Sequence, residues 1–275
     1  MLGGFLSFFL VLFVNQTNTR FFEMYNKSMD CQGRICDIAS LIGTNLPRYQ
    51  SARIVRYLNA AHAAGYVGLS KTYTQTSFFD EINRRQNLLD KNEMERISKT
   101  YMDRGPGAFR EISEWCMMEV KRARDANYVE GREAGAIREK ILQFRASMDA
   151  LYDYCDQPIH FFYIHFLSLL SALYLPLFAI DNAYSAGAGA EVHWTADVLS
   201  GMMVLLQAVF VIGLRLLGQT MVHPYGDDLE DLSVLFYVRS AWVTSNRILA
   251  TEFPGEANPQ IEEQLAQQTE SIGVA

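Results

Sequence analysis

Hydrophobic and polar positions divide the chain into three apolar runs separated by polar sequence. The first run covers residues 1–14 and contains no charged side chain. The second covers residues 157–180, 24 positions without Asp, Glu, Lys or Arg, and the third covers the 17 positions 198–214. A helix that spans a bilayer needs roughly 20 mostly apolar residues. The second run therefore predicts a membrane helix, and so does the third, with Arg215 extending its charged end to the interface.

The first apolar run passes directly into the polar sequence NQTNTRFFEMY. A signal peptide has a basic start and a small-residue cleavage site, and neither is found here, so we interpret the run as a helix that continues into polar surroundings. Phe5, Phe8 and Leu12 share one face of this helix, with Phe9 and Phe13 near it. Lipid contact or helix packing would explain this face. In an assembly of several copies it would instead form a hydrophobic constriction.

The polar middle of the chain, residues 21–156, has the spacing of amphipathic helices. In one segment the apolar residues recur at steps of 4, 3, 4 and 3: Ile137, Ile141, Phe144, Met148 and Leu151. Gly-Pro-Gly within DRGPGAF predicts a break between helices. No convincing alternating pattern indicates a strand. We therefore predict an all-α fold, in which the transmembrane helices of a multi-pass membrane protein continue into a helical cytosolic body.

The distribution of charge predicts the orientation and excludes some functions. Residues 181–197 connect the second and third runs without Lys or Arg, whereas 21 of the 24 basic residues lie between Arg20 and Arg145. The positive-inside rule places this connection outside the cytosol and the polar middle inside it. The net charge of -7 argues against a nucleic-acid partner. We see no catalytic triad, phosphate-binding loop or H-E-x-x-H motif, so we expect no catalytic residues and no enzyme activity.

A sharp turn and an acidic cluster follow the third run, in HPYGDDLEDLSVL. Pro224 and Gly226 are typical of a helix stop. Four acids stand close together after them: Asp227, Asp228, Glu230 and Asp231. Carboxylates this close repel one another unless a cation or a basic group is present, and Ca²⁺ takes carboxylate and carbonyl oxygens. A solvated acidic cap at the start of the next helix is the alternative interpretation.

Two histidines at the start of the second run raise a different hypothesis, a membrane metalloenzyme. Polar groups within a membrane are candidates for function. His160 and His165 are five residues apart, however, and do not share a helix face as metal ligands at i and i+4 do. An interfacial position explains them more simply.

Three stretches together resemble the bestrophin family, pentameric anion channels of animals with relatives in plants, algae and bacteria. LSFFLVLFVNQTNTRFFEMY resembles the family's pore helix, with an apolar neck and an Arg-aromatic-aromatic signature, here Arg20, Phe21 and Phe22. QPIHFFYIHFLSLL resembles the next transmembrane segment. HPYGDDLEDLSVL resembles the family's Asn-Pro-Phe-Gly turn and acidic cluster, here with Pro224 and Gly226.

The resemblance assigns a role to residues of the first run. Counting back from Arg20, the family's three neck positions fall on Gly4, Phe8 and Leu12. Gly4 supplies no apolar side chain, and the adjacent Phe5 would take its place. The family's first transmembrane helix has no counterpart in the sequence. We expect either that an upstream helix is missing or that the protein is a divergent member that does not conduct.

The resemblance also implies a calcium site at the turn. In animal bestrophins this region forms a calcium clasp, and Asp228 and Asp231 match its side-chain ligands by position. Two further acids stand beside them: Asp227 and Glu230. The clasp's Asn and Gln positions hold His223 and Thr220, and its backbone ligand from the family's N-terminus has no counterpart. We expect the acids either to bind calcium as a regulator or to be a structural relic.

The function that the resemblance implies is a passive channel for chloride or bicarbonate, a homopentamer in membrane lipid with its pore on the symmetry axis. A non-conducting membrane scaffold is the alternative. The plasma membrane is the first expectation for its location and the plastid thylakoid membrane the second. The predicted organisation is a pore and neck helix at 1–20, a helical cytosolic region at 21–156, two transmembrane helices at 157–217 with the connection 181–197, an acidic turn and cytosolic helix at 218–252, and a polar tail at 253–275.

Overall fold

The computed structural model describes residues 2–98, 107–157, 159, 161–187, 194–226 and 231–252. These residues form helices and contain no β-strand, which confirms the predicted all-α class. A short π-helix precedes the third α-helix. The α-helices are α1 (Leu2–Asn45), α2 (Arg48–Ala64), α3 (Asp80–Gln86), α4 (Lys91–Ser98), α5 (Gly107–Asp125), α6 (Gly131–Asp156), α7 (Phe161–Gly187), α8 (Trp194–Thr220) and α9 (Val234–Leu249).

Helix α1 runs without a break from the apolar first run into the polar middle. Its 44 residues correspond to a length of about 66 Å. Its fully buried positions recur at helical spacing: Leu6, Leu10, Phe13, Thr17, Met24, Ser28, Cys31, Ile35, Ile38, Ala39 and Ile42. One face of α1 is therefore packed against the rest of the chain along its whole length, and the opposite face is not.

The first part of α1 packs against α7 and α8, and we call these three segments the apolar layer. Within the described residues, α7 and α8 are the two helices long and apolar enough to cross a membrane. Only 11% and 6% of their most apolar windows is buried, unlike the core helix of a soluble protein. The layer is held together by a small buried cluster: Leu6, Leu10, Phe13, Ile159, Leu167 and Val211.

Glycines allow the helices of the apolar layer to approach closely. A Cβ atom on Gly218 of α8 would lie 2.4 Å from the ring of Phe13 on α1. A Cβ atom on Gly3 would lie 2.6 Å from the hydroxyl of Tyr174 on α7. Because a larger side chain at either position would displace the ring that it meets, these close contacts favour the observed orientation of α1, with one face turned away from α7 and α8.

The remaining helices form a helical body around the second part of α1, which packs against α2, α6 and α9. The predicted apolar face of α6 is confirmed, since all five of its members are buried: Ile137, Ile141, Phe144, Met148 and Leu151. His62 of α2 lies in the same core, edge-on to the ring of Tyr66. Burial lowers the pKa of His62 to about 3, so this side chain is neutral at physiological pH.

Helices α7 and α8 extend beyond the apolar runs that predicted them. Helix α7 continues to Gly187 and α8 begins at Trp194, so both enter the predicted connection 181–197. Helix α8 also ends at Thr220, three residues beyond the predicted end of the transmembrane region. Backbone hydrogen bonding does not require apolar side chains, so a helix can continue past the end of an apolar run. The predicted polar tail, 253–275, lies outside the described residues.

Candidate functional site

One face of α1 in the apolar layer has no partner in the described chain. Phe5, Phe8 and Leu12 are 62%, 59% and 44% exposed, whereas Leu6 and Leu10 between them are buried. The face that these three side chains were predicted to share is therefore present and open. Contiguous exposed apolar surface marks an interaction surface, a lipid contact or the lining of a passage.

The same face becomes polar one turn further along α1. Asn15, Gln16 and Thr19 are all exposed. Thr17, on the packed face, instead donates its hydroxyl to the carbonyl oxygen of Phe13 at 3.0 Å. Unpaired polar side chains are unfavourable against lipid and are placed where they face protein or water. The combination of an apolar part with a polar continuation favours a water-filled passage over lipid contact.

Arg20 connects α1 to the end of α6. Its guanidinium donates hydrogen bonds to the backbone carbonyl oxygens of Tyr154 and Gln157, at the C-terminus of that helix. A cation at a helix C-terminus pairs with carbonyls that have no partner in the helix and interacts favourably with the helix dipole. Of the two aromatic residues after it, Phe21 packs against the core of the helical body and Phe22 is exposed. Arg20 therefore joins the open helix to the body where the apolar layer ends.

The turn after α8 folds back toward α1. The backbone N–H of Leu232 donates to the carbonyl oxygen of Pro224 at 2.8 Å and closes the turn. Tyr225, between Pro224 and Gly226, is buried, and its hydroxyl donates to the carbonyl oxygen of Met24 at 3.1 Å. The same hydroxyl lies 2.6 Å from that of Ser28, one turn further along α1. These contacts fix the predicted Pro-Tyr-Gly turn against the middle of α1.

The sequence analysis missed Tyr225 as the residue that anchors this turn. Burial raises the pKa of Tyr225, so its hydroxyl stays protonated and able to donate. Its ring also packs edge-on to that of Tyr66, with 5.9 Å between the ring centres. A signal was available, because the resemblance places phenylalanine at this position. The added hydroxyl of tyrosine in a buried turn requires a hydrogen-bond partner.

Tyr225→Phe is expected to lower the free energy of unfolding by about 1 kcal/mol, because the variant leaves the Ser28 hydroxyl and the Met24 carbonyl with one partner fewer. The midpoint of thermal unfolding in detergent measures this change. Tyr184→Phe, at an exposed position of α7, is the matched control and should have no effect. Equal midpoints for the two variants would contradict the anchoring role.

Two oxygen atoms converge beside Gly226. From the position that a Cβ atom would take there, Oδ2 of Asp231 lies at 2.5 Å and the carbonyl oxygen of His223 at 3.5 Å. A side chain at this position would displace the Asp231 carboxylate. Carboxylate and carbonyl oxygens are the ligand types that calcium takes, so the chemistry of the two groups is compatible with this ion.

Of the other residues predicted at metal sites, only His165 belongs to the described part of the chain. The described residues contain no group of three or more His, Cys, Asp and Glu side chains able to hold a metal ion. His165 is exposed near the start of α7. The predicted residues that lie outside the described part of the chain are Asp227, Asp228, Glu230 and His160.

These features define an all-α membrane protein in which one face of a long helix remains open. A family model with the description "Bestrophin, RFP-TM, chloride channel" matches residues 4–251. This match covers most of the sequence, and the chain belongs to the bestrophin family. No curated protein matches the sequence significantly.

Solved structures with a similar fold include crystal structures of a bacterial bestrophin homologue from Klebsiella pneumoniae. One single-substitution variant has a TM-score of 0.77 at 17% sequence identity, and another has 0.76 at 16%. In both cases the match covers 91% of this chain and 86% of the other. A third structure, solved by Zn-SAD phasing, has a TM-score of 0.75 at 17% identity and covers 92% of this chain and 86% of the other. At this level of identity, the likeness establishes a shared fold.

Proposed function

We propose that the protein is a passive anion channel, a homopentamer whose pore lies on the symmetry axis and is lined by α1. The open face of α1 is the observation that carries this proposal. Its apolar part, with Phe5, Phe8 and Leu12 exposed, would form the neck of the pore when several copies surround a common axis. A narrow apolar neck controls conduction by excluding water. The number of five subunits rests on the family resemblance.

The charge along α1 supports an anion as the permeating ion. Residues 2–19 contain no charged side chain, and the first charge is the cation Arg20. The positive edges of the aromatic rings at Phe5 and Phe8 can face an anion without a full charge. Chloride is the ion in the family description, and bicarbonate is a further candidate. We propose transport down the gradient and no enzyme activity, in the plasma membrane or, as the alternative, the plastid thylakoid membrane.

A non-conducting scaffold is the second candidate, and Gly4 favours it. The first neck position of the family falls on this residue, and no heavy atom lies within 4 Å of the position that a Cβ atom would take there. The neck would then lack one of its three side chains. Phe5 restores the apolar character in the channel proposal, because it is exposed on an adjacent part of the same helix surface.

We also propose that calcium regulates the channel, and the turn beside Gly226 supports this. As the resemblance implies, Asp228 and Asp231 would hold the ion, and the His223 carbonyl beside Gly226 would add an oxygen ligand. The ion would neutralise the carboxylates of the acidic turn. Tyr225 fixes this turn to Met24 of α1, so a change at the turn is passed to the helix that would line the pore. The coupling needs no contact between the ion and the neck itself.

Chloride flux into liposomes that contain the purified protein tests the function, with and without micromolar calcium. We expect flux in both conditions and a larger flux with calcium, because an ion bound at the turn acts on α1 through the contact of Tyr225 with Met24. Asp231→Asn should remove the calcium response and keep the basal flux, whereas Asp153→Asn, at an exposed position of α6, should keep both. Equal flux with and without calcium would show that the acidic turn has a structural role only. The absence of flux would favour the scaffold.

A further inference from the structure

The open face of α1 changes from apolar to polar between Leu12 and Asn15. Phe8, Leu12, Asn15 and Thr19 follow one another at steps of 4, 3 and 4 residues, which keeps them on one face of the helix. All four side chains are exposed. From the helical rise, Asn15 lies about 4.5 Å beyond Leu12 along the axis, and Thr19 lies about 6 Å beyond Asn15. A polar band therefore begins directly where the apolar neck ends.

The hydrogen-bonding groups of this band are not used within the described part of the chain. There, neither Asn15 nor Thr19 makes a side-chain hydrogen bond to protein, although threonine readily bonds to its own helix, as Thr17 does with Phe13 at 3.0 Å. Polar groups at membrane depth are costly unless they are satisfied, and they mark functional positions. Asn15 and Thr19 therefore require partners from outside the described residues, and water, solute and a second copy are the candidates.

The composition of the band favours an anion as that solute. No carboxylate occurs before Glu23 in the sequence, and the charge nearest to the band is that of Arg20. Asn15 offers two N–H donors and Thr19 one O–H donor. A band with several donors and no carboxylate can replace part of the water shell of an anion. The amide and the hydroxyl also carry acceptor oxygens, so the absence of carboxylates and the nearby cation Arg20 are what favour an anion over a cation.

We infer that Asn15, assisted by Thr19, forms a ring of anion ligands that sets the preference of the pore for anions over cations. The inference rests on the proposed channel, in which every copy contributes one Asn15 amide to the ring. An anion that sheds water to pass Leu12 meets these donors within one helical turn. The neck would then limit the rate of passage, and the ring would decide the sign of the charge that passes.

Asn15→Asp tests this role, because it keeps the shape of the side chain and replaces its N–H donors with a negative charge. The reversal potential across a membrane that separates two sodium chloride concentrations gives the ratio of chloride to sodium permeability. We expect this ratio to fall at least about fivefold, because a negative charge close to the ion path repels chloride and attracts sodium even at the dielectric constant of bulk water. Asn92→Asp, at an exposed position of α4 in the helical body, makes the same chemical change and should leave the ratio unaltered.

The outcomes separate this inference from the channel on which it rests. An Asn15→Asp channel that conducts with the same permeability ratio as wild type and Asn92→Asp would overturn the role of Asn15 and leave the channel intact. A wild-type protein without chloride flux would overturn both. If Asn15→Asp does not assemble, the uncharged variant Asn15→Val tests whether Asn15 is an anion ligand. We expect this variant to reduce chloride conductance, and unchanged conductance would overturn the inference.

Discussion

Alanine at both Phe8 and Leu12 is expected to raise the chloride leak of the reconstituted protein at least about tenfold, which requires a barrier lowered by about 1.4 kcal/mol. In the proposed assembly these exposed side chains narrow the pore at two successive turns of α1. A neck of this kind closes by excluding water, and alanine removes most of the apolar bulk at both levels. The rate of chloride efflux from loaded liposomes measures the leak.

The matched control for the neck variant is the pair Leu206→Ala and Phe210→Ala on α8. It removes the same two residue types, four residues apart, from exposed positions of the apolar layer. The control should leave the leak unchanged, because these positions belong to a helix that we expect to face lipid. If the Phe8 and Leu12 variant keeps the wild-type oligomer size and leaks no more than the control, these two residues do not form the gate.

Local periodicity predicted the features of the fold that depend on neighbours in sequence. The spacing of Ile137 and Ile141 at four residues identified the buried face of α6, because side chains one turn apart point the same way. The same argument placed Phe8 and Leu12 on one face of α1, and the structure shows that this face is open. Periodicity alone could not show the openness, since a packed face and an open face have the same spacing.

Contacts between distant parts of the chain could not be predicted in this way. Tyr225 bonds to Met24 across 201 positions, and Arg20 bonds to Gln157 across 137. No local pattern links residues so far apart, because each pairing is decided by how α1 crosses the other helices. The resemblance marked Arg20 and the turn as a signature but did not supply their partners. The partners show that both features join the open helix to the rest of the chain.

Replacing Arg20 with methionine is expected to lower the free energy of unfolding by about 2 kcal/mol, because hydrogen bonds from charged groups contribute more than neutral ones. The variant keeps a long apolar stem and loses the donors to the Tyr154 and Gln157 carbonyls. In a protein of this size the change corresponds to a fall of roughly 5 °C in the midpoint of thermal unfolding, measured in detergent. Arg20→Lys keeps the charge without the planar fork and should fall between methionine and wild type.

The control for Arg20→Met is Arg124→Met, whose exposed guanidinium pairs only with the adjacent Asp125 among the described salt bridges. Exposed ion pairs contribute little to stability, so this control should leave the midpoint within error. Arg20→Met should also change chloride flux, since the same guanidinium holds the open helix α1 against the end of α6. A lower midpoint of thermal unfolding with unchanged flux would show that Arg20 stabilises the fold and does not affect conduction. Unchanged values of both would show that the junction between the open helix and the body does not depend on this cation.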